Sequence, residues 1–168
     1  MYAEYDSWLL RMFLNYPYLP TPPTVVESAL TLLDLDETAV FADLGSGEGN
    51  VTTAVAEKFS CFCVGFELDP RLIKEAKQKI KKGTSKRKID YVQADLFTVD
   101  LSRFDALYVY PFPTIATQLS EKIRAECKKT AKIVAYDYPL AGFTPKKTIN
   151  VNLGMHTNKI YLYSLENC

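Results

Sequence analysis

A glycine-rich segment and a later glutamate are the residues of this chain whose types and spacing favour binding of a small molecule. The segment reads VFADLGSGEG over residues 40–49, with Asp43 two residues before Gly45, the first of three alternating glycines. A second strand-like run, CFCVGFE, ends on Glu67. The interval from Gly45 to Glu67 is close to the roughly 20 residues that separate the glycine turn from the ribose-binding acid in Rossmann-type folds. The pair therefore predicts a nucleoside site, in which Glu67 accepts hydrogen bonds from ribose hydroxyls.

The residues of the loop indicate which class of nucleoside fits. A strand that turns directly into a helix must bring its backbone close to the ligand, and side chains at Gly45 or Gly47 would block that approach. Dinucleotide cofactors require GxGxxG, so that helix amides point at the pyrophosphate, whereas this loop reads GxGxG. Asp43 would also repel a diphosphate and attract a cation. The loop therefore argues against NAD and for a positively charged nucleoside.

These residues need a parallel sheet to bring them together, and the hydrophobic pattern alternates strands and helices as such a sheet requires. Strand-like runs lie at 39–44, 62–67, 89–93, 105–110 and 131–137, and helix-like runs at 24–34, about 50–59, 71–82 and 117–129. In the last helix we expect Leu119, Ile123 and Cys127 on the buried face. After the fifth strand, KKTINVNL and TNKIYLYSL are joined by GMH with no helix between them, which predicts a β-hairpin.

The amino-terminal region combines an apolar run with a proline-rich one. Residues 4–14 predict a short helix whose apolar side chains would dock substrate, cover the pocket or form a dimer contact. Residues 16–23 cannot be helical, because four prolines fix φ and remove N–H donors. Pro23 is well placed to start the next helix.

At this point the sequence resembles the class I S-adenosylmethionine-dependent methyltransferases, whose first motif reads like DLGSGEG. The resemblance implies an α/β, Rossmann-like sheet of seven mostly parallel strands, with a C-terminal β-hairpin, an antiparallel last strand and helices on both faces. It also implies S-adenosylmethionine as the cofactor. By the same resemblance, Asp43, Gly45 and Gly47 line the methionine end, Glu67 takes the ribose, and Asp95 and Leu96 of QADLF lie at the adenine, with Ser46 and Leu68 as neighbouring contacts.

The acceptor of the methyl group is indicated most strongly by DALYVYPFPT, at the predicted end of strand four, since this is the reactive edge of an open sheet. Methyltransferases that act on adenine, cytosine or glutamine nitrogens typically carry Asn or Asp before Pro-Pro-Tyr there, whereas this chain has Tyr110, Pro111, Phe112 and Pro113. Aromatic faces attract a lysine ammonium by roughly 0.5 to 2 kcal/mol. Presenting the neutral amine at pH 7 costs on the order of 5 kcal/mol, and burial beside a positive cofactor lowers that cost. We therefore predict Tyr110, Pro111 and Phe112 as the acceptor site.

The resemblance narrows over NYPYLPTPPTVVESAL, the DLGSGEG loop and the closing KIYLYSLEN, which look like the small archaeal broad-specificity protein-lysine methyltransferases and their relatives that modify a mitochondrial ATP synthase subunit. In that family the Tyr-x-Pro-Thr segment covers the cofactor, which implies Tyr18 and Thr21 as further contacts. The predicted function is methyl transfer to protein lysine ε-amines, so protein substrates with accessible lysines are the expected partners. An RNA or small-molecule methyltransferase and a non-catalytic S-adenosylmethionine-binding module remain alternatives.

Composition sets the remaining expectations. With 168 residues the chain fits a single methyltransferase domain, residues 1–168, in which 1–23 cover the cofactor and 24–168 form the catalytic core. Twenty basic and twenty acidic side chains cancel, so we expect no nucleic-acid partner, and we expect a monomer. The basic run Arg71 to Lys88 is either a solvated face or a patch for an acidic partner.

The cysteines and the single histidine suggest no metal site. Cys61 and Cys63 alternate along a predicted strand as small apolar fillers, none of the four cysteines has zinc spacing, and His156 falls in the predicted hairpin turn. The sequence shows no signal peptide and no apolar run near the roughly 20 residues that span a bilayer. We therefore expect no metal, no membrane association and a cytoplasmic location.

Overall fold

The computed structural model describes residues 19–82, 88–154 and 156–166. In these residues four helices and seven strands follow the predicted alternation. The helices are α1 (Pro23–Leu33), α2 (Asn50–Phe59), α3 (Pro70–Lys82) and α4 (Pro113–Glu126), and the strands are β1 (Val40–Leu44), β2 (Phe62–Glu67), β3 (Ile89–Gln93), β4 (Ala106–Val109), β5 (Lys132–Tyr136), β6 (Lys147–Leu153) and β7 (His156–Ser164).

The strands form one sheet in the order β3-β2-β1-β4-β5-β7-β6. The first five are parallel, with Val40 of β1 beside Phe62 of β2 and Phe41 beside Ala106 of β4, while β7 runs antiparallel to β5 and to β6. The predicted seven-stranded α/β fold and its closing hairpin are confirmed. The chain reverses direction across the sheet between β1 and β4, and such a switch point leaves a crevice at the carboxyl ends of the strands.

Helices cover both faces of the sheet, as expected. On one face α1, α2 and α3 pack on a core that includes Phe41, Val55 and Tyr108. On the other face α4 and the segment after β3 enclose a second core around Leu107 and Ile133. Burial on both faces explains why the central strands are continuous apolar runs with no alternation.

The boundaries differ from the predicted ones in a few places. The helix expected at 117–129 begins at Pro113, because a proline fits the first helical turn without losing a hydrogen bond. Leu119 and Ile123 are buried as predicted, but Cys127 is the C-cap and only partly buried. His156 is the first residue of β7, exposed, and not part of the turn. The predicted helix over residues 4–14 lies outside the described residues.

Candidate functional site

A cavity of about 410 Å³ opens at the carboxyl ends of β1, β2 and β4, where the switch point predicts a ligand. It brings together ten of the residues predicted for the site: Thr21, Asp43, Gly45, Ser46, Glu67, Leu68, Asp95, Leu96, Tyr110 and Phe112. Gly47 and Pro111 do not line the cavity, and Tyr18 lies outside the described residues. Motifs distant in the sequence therefore meet in one place.

The glycine loop is held in the shape that only glycine adopts readily. Gly45, Gly47 and Gly49 all have positive φ, at 83°, 53° and 76°. The amides of Gly45 and Ser46 donate to the carbonyl oxygen of Phe66 at 2.8 and 2.9 Å, which ties the loop to the end of β2. A Cβ at Gly45 would meet nothing within 4 Å, so this position faces open space. A side chain there would occupy the cavity, as predicted, and would also strain the backbone.

Tyr91 supports the loop from beneath, a role that no motif in the sequence indicates. Its hydroxyl donates to the carbonyl oxygen of Gly49 at 3.2 Å and lies 3.3 Å from Thr53 Oγ1. A Cβ on Gly49 would lie 1.9 Å from that hydroxyl, and a Cβ on Gly65 would lie 2.5 Å from the Tyr91 ring. Gly49 and Gly65 therefore make room for Tyr91, which in turn positions the loop.

Asp43 places a carboxylate at the floor of the cavity. Its side chain is almost fully buried and accepts a hydrogen bond from Thr52 Oγ1 at 2.7 Å. Burial raises the pKa of Asp43 to about 7, against the lowering effect of the Thr52 hydrogen bonds, and the nearby Glu67 charge raises it further. A cation bound here would stabilise the ionised carboxylate, so Asp43 suits the positively charged end of a ligand.

Glu67 is fixed by backbone amides at the end of β2. Its Oε2 accepts from the Gly47 amide at 2.9 Å, and its Oε1 accepts from the amides of Leu68 and Asp69 at 2.7 and 2.9 Å. A carboxylate offers about four acceptor positions, so these three bonds leave capacity for a ligand hydroxyl. Gly47 thus acts by holding Glu67, which corrects the prediction that it lines the cavity.

Two further predicted residues present polar atoms to the cavity. Ser46 Oγ is buried and has no hydrogen-bond partner among the described residues, an arrangement that a ligand with a polar group would relieve. Asp95 Oδ1 accepts from the Phe97 amide at 2.9 Å, which orients the carboxylate at the start of the turn that holds Leu96. Together with the open space at Gly45, the unpartnered Ser46 hydroxyl shows that the site fits a nucleoside with a charged amino-acid-like end.

Aromatic rings form the wall of the cavity next to β4. The Tyr110 ring stacks on Phe112 with centroids 5.1 Å apart, and on its other sides it meets Tyr136 at 4.7 Å and Tyr138 at 6.1 Å. Burial, followed by the charge of nearby Asp137, raises the pKa of Tyr110 to about 12, so its hydroxyl stays protonated at neutral pH. Pro111 is buried behind this wall and fixes the backbone between the two rings. Tyr136 and Tyr138 were missed in the sequence because a different strand supplies them.

Part of the basic run Arg71 to Lys88 has partners close to the site. Arg71 pairs with Asp69 at 2.6 Å, and Lys79 pairs with Glu48 at 2.5 Å and donates to Asn50 at 3.1 Å. Lys79 therefore ties α3 to the glycine loop.

The described residues contain no group of His, Cys, Asp and Glu side chains arranged to hold a metal ion. Cys61 and Cys63 are both buried with their sulfurs 3.7 Å apart, as packing residues. Over the described part of the chain, no helix is long and apolar enough to cross a membrane.

Comparisons with known proteins agree with this geometry. The curated relatives include a protein-lysine N-methyltransferase of Saccharolobus islandicus, 28% identical over 150 residues that cover 89% of this chain and 93% of the relative. A lysine N-methyltransferase of Xenopus laevis, named for one of the subunits of ATP synthase, is 27% identical over 132 residues, 79% of this chain but only 58% of the relative. Among solved structures, an RNA methyltransferase of Salinibacter ruber in complex with S-adenosyl-L-homocysteine superimposes with a TM-score of 0.82 at 28% identity, covering 88% of this chain and 94% of that one.

The match to a family model decides the classification. Residues 43–147, from the buried aspartate of the glycine loop to the first residue of β6, match the model of the ANTKMT methyltransferase domain. The resemblance to class I methyltransferases that the motifs suggest is thereby confirmed, and the chain belongs to the ANTKMT methyltransferase domain family.

Proposed function

We propose that this protein transfers the methyl group of S-adenosylmethionine to the ε-amino groups of protein lysines. The observation that carries the proposal is the aromatic wall of Tyr110 and Phe112, which joins the cavity beside Asp43 and presents no side-chain amide or carboxylate at position 110. Relatives whose names specify lysine as the acceptor support the same substrate class.

The cavity residues divide between the two ends of the cofactor. Asp43 and Ser46 would hold the charged methionine end, Glu67 the ribose, and Asp95 with Leu96 the adenine. When bound, S-adenosylmethionine supplies an electrophilic methyl group on a positively charged sulfur. Thr21 Oγ1 lies 3.4 Å from the Tyr108 hydroxyl, which fixes the segment before α1 at the cavity rim.

The acceptor amine must lose a proton before it can act as a nucleophile. A lysine side chain that leaves water for the rings of Tyr110 and Phe112 is desolvated, which lowers its pKa. The same rings keep water out and orient the amine toward the cavity. Because the Tyr110 hydroxyl keeps its proton at neutral pH, we assign it a positioning role and let solvent take the proton from the ammonium.

RNA methylation is the second candidate, because the Salinibacter ruber structure is described as an RNA methyltransferase. A dimethyladenosine transferase of Schizosaccharomyces pombe also matches at 28% identity, although over only 49% of this chain. An amino group of a base is planar and is held by hydrogen bonds to an amide or carboxylate, which position 110 does not provide. The site therefore favours a flexible, cationic acceptor.

The two candidates are separated by where the methyl group goes. Purified protein is incubated with methyl-labelled S-adenosylmethionine and, in parallel, with basic proteins, with tRNA or with a metabolite extract. The Asp43→Ala variant is the inactive control. We expect label in the protein fraction alone, and label in tRNA or in small molecules would contradict the proposal.

A further inference from the structure

A strained turn follows β5 beside the aromatic wall. Asp137 has a φ of 65°, and the amide of Tyr138 donates to the carbonyl oxygen of Tyr136 at 2.8 Å, which makes residues 136–138 a γ-turn of the uncommon positive-φ form. The other described non-glycine residues with positive φ, Asp34 and Ser60, cap the ends of helices, where this conformation is ordinary. Strained residues cluster at functional sites, so the position of Asp137 needs a reason.

The Asp137 side chain is fixed from β7. Its Oδ1 accepts a hydrogen bond from Asn158 Nδ2 at 2.9 Å, and its amide donates to the carbonyl oxygen of Lys159 at 2.7 Å. Two anchors on the neighbouring strand therefore hold the carboxylate in one place. Fixed charges of this kind recognise a ligand at a lower entropy cost than mobile ones.

The turn also directs two rings toward the acceptor wall. Tyr136 and Tyr138, on either side of Asp137, both contact Tyr110, with ring centroids at 4.7 and 6.1 Å. After burial, the charge of Asp137 is the next cause of the raised pKa of both Tyr110 and Tyr136, which places the carboxylate close to their hydroxyls. One carboxylate and several π faces thus meet just outside the cavity.

We propose that Asp137, together with the rings of Tyr110 and Tyr138, captures the ammonium of the incoming lysine before it reaches the cavity. The inference rests on the proposed function and names the residue that selects the acceptor. Aromatic faces and a carboxylate both attract a cation, and neither rewards a neutral side chain. Because a carboxylate stabilises the protonated amine, Asp137 favours capture and not the later loss of the proton. It is therefore a specificity-determining residue whose removal raises KM and leaves kcat nearly unchanged.

The Asp137→Asn variant tests this assignment. Asparagine keeps the shape, tolerates positive φ and still accepts the hydrogen bond from Asn158, so only the charge is lost. The matched control is Glu57→Gln, which removes a charge from the exposed face of α2. With a short peptide carrying a central lysine as substrate, we expect KM to rise about fivefold or more in Asp137→Asn alone. The affinity for S-adenosylhomocysteine should be the same in all three proteins.

A binding measurement gives a readout that a merely structural role would not move. Affinities are measured for the same peptide with trimethyllysine and with its neutral carbon isostere, in the presence of S-adenosylhomocysteine. Wild type should prefer the cationic peptide, and Asp137→Asn should lose that preference while Glu57→Gln keeps it. An unchanged preference in Asp137→Asn, or none in wild type, overturns the inference. Absence of any lysine methylation by wild type would instead count against the proposed function, since the binding ratio does not depend on turnover.

Discussion

The buried Asp43 leads to a prediction about folding that needs no substrate. Its pKa of about 7 in the folded protein lies well above the ordinary value of 3.8, mainly because of burial. Between these two pH values the folded protein holds a proton that the unfolded chain has released, so stability falls as pH rises through this window. Asp43→Asn removes the titrating group and keeps the side-chain shape. We therefore expect the variant to lose less stability with rising pH than the wild type.

The size of the effect follows from the width of the pH window. Each unit of pKa difference corresponds to about 1.36 kcal/mol, and the interval from about pH 5 to about 7 spans roughly two units. The free energy of unfolding of ligand-free wild type should therefore fall by about 3 kcal/mol more than that of Asp43→Asn between about pH 5 and about pH 8. A bound cation would keep the carboxylate ionised, so cofactor affinity should decrease as pH drops below about 7.

The assay is denaturant unfolding of both proteins at the two pH values, with the slope compared to confirm that the transition is unchanged. Asp90→Asn, an exposed residue of β3, is the control that changes the same functional group away from the site. Its pH dependence should match that of the wild type. An equal loss of stability in wild type and Asp43→Asn would refute the assignment of a buried, proton-holding Asp43.

Three further substitutions test separate parts of the site. Glu67→Ala should weaken S-adenosylhomocysteine binding more than tenfold, on the order of one charge-assisted hydrogen bond plus loss of the Gly47 contact; calorimetry that finds the same affinity would contradict the ribose role. Tyr110→Ala should lower turnover on protein more than cofactor affinity, whereas Tyr110→Phe, which keeps the ring, should retain most activity in a label-transfer assay; equal loss in both would remove the ring from the explanation. Gly65→Ala would place a Cβ 2.5 Å from the Tyr91 ring, so thermal unfolding should reveal a loss of about 1 to 3 kcal/mol, and Tyr91→Ala in the same chain should recover part of it if the clash is the cause.

The sequence predicted the sheet well because its central strands are buried on both faces and separated by clear helical patterns. The ends of β2, β3 and α2 were predicted to the residue, and the cavity collects most of the motif residues. Gly47 was misassigned because a positive-φ glycine in such a loop has two uses, contact with ligand and an amide for a neighbouring carboxylate. Only the structure shows that its amide binds Glu67.

Other features had no signal in the sequence. Tyr91 supports the glycine loop from a strand two positions across the sheet, and a tyrosine in a strand looks like any other core residue. Asp137 adopts positive φ with neither a glycine nor an Asn-Gly pair to announce a turn. Both depend on contacts between distant segments, which local pattern does not encode. The cytoplasmic location and the monomeric state remain predictions from the sequence.

The most direct test of the whole account is to locate the transferred methyl group atom by atom. A lysine-rich protein is incubated with this protein and isotope-labelled S-adenosylmethionine, digested, and sequenced by tandem mass spectrometry. The account predicts labelled methyl groups on lysine ε-nitrogens, absent when Asp43→Ala replaces the wild type. Label that appears on arginine or histidine residues, or only on nucleotides when RNA is added, would contradict it.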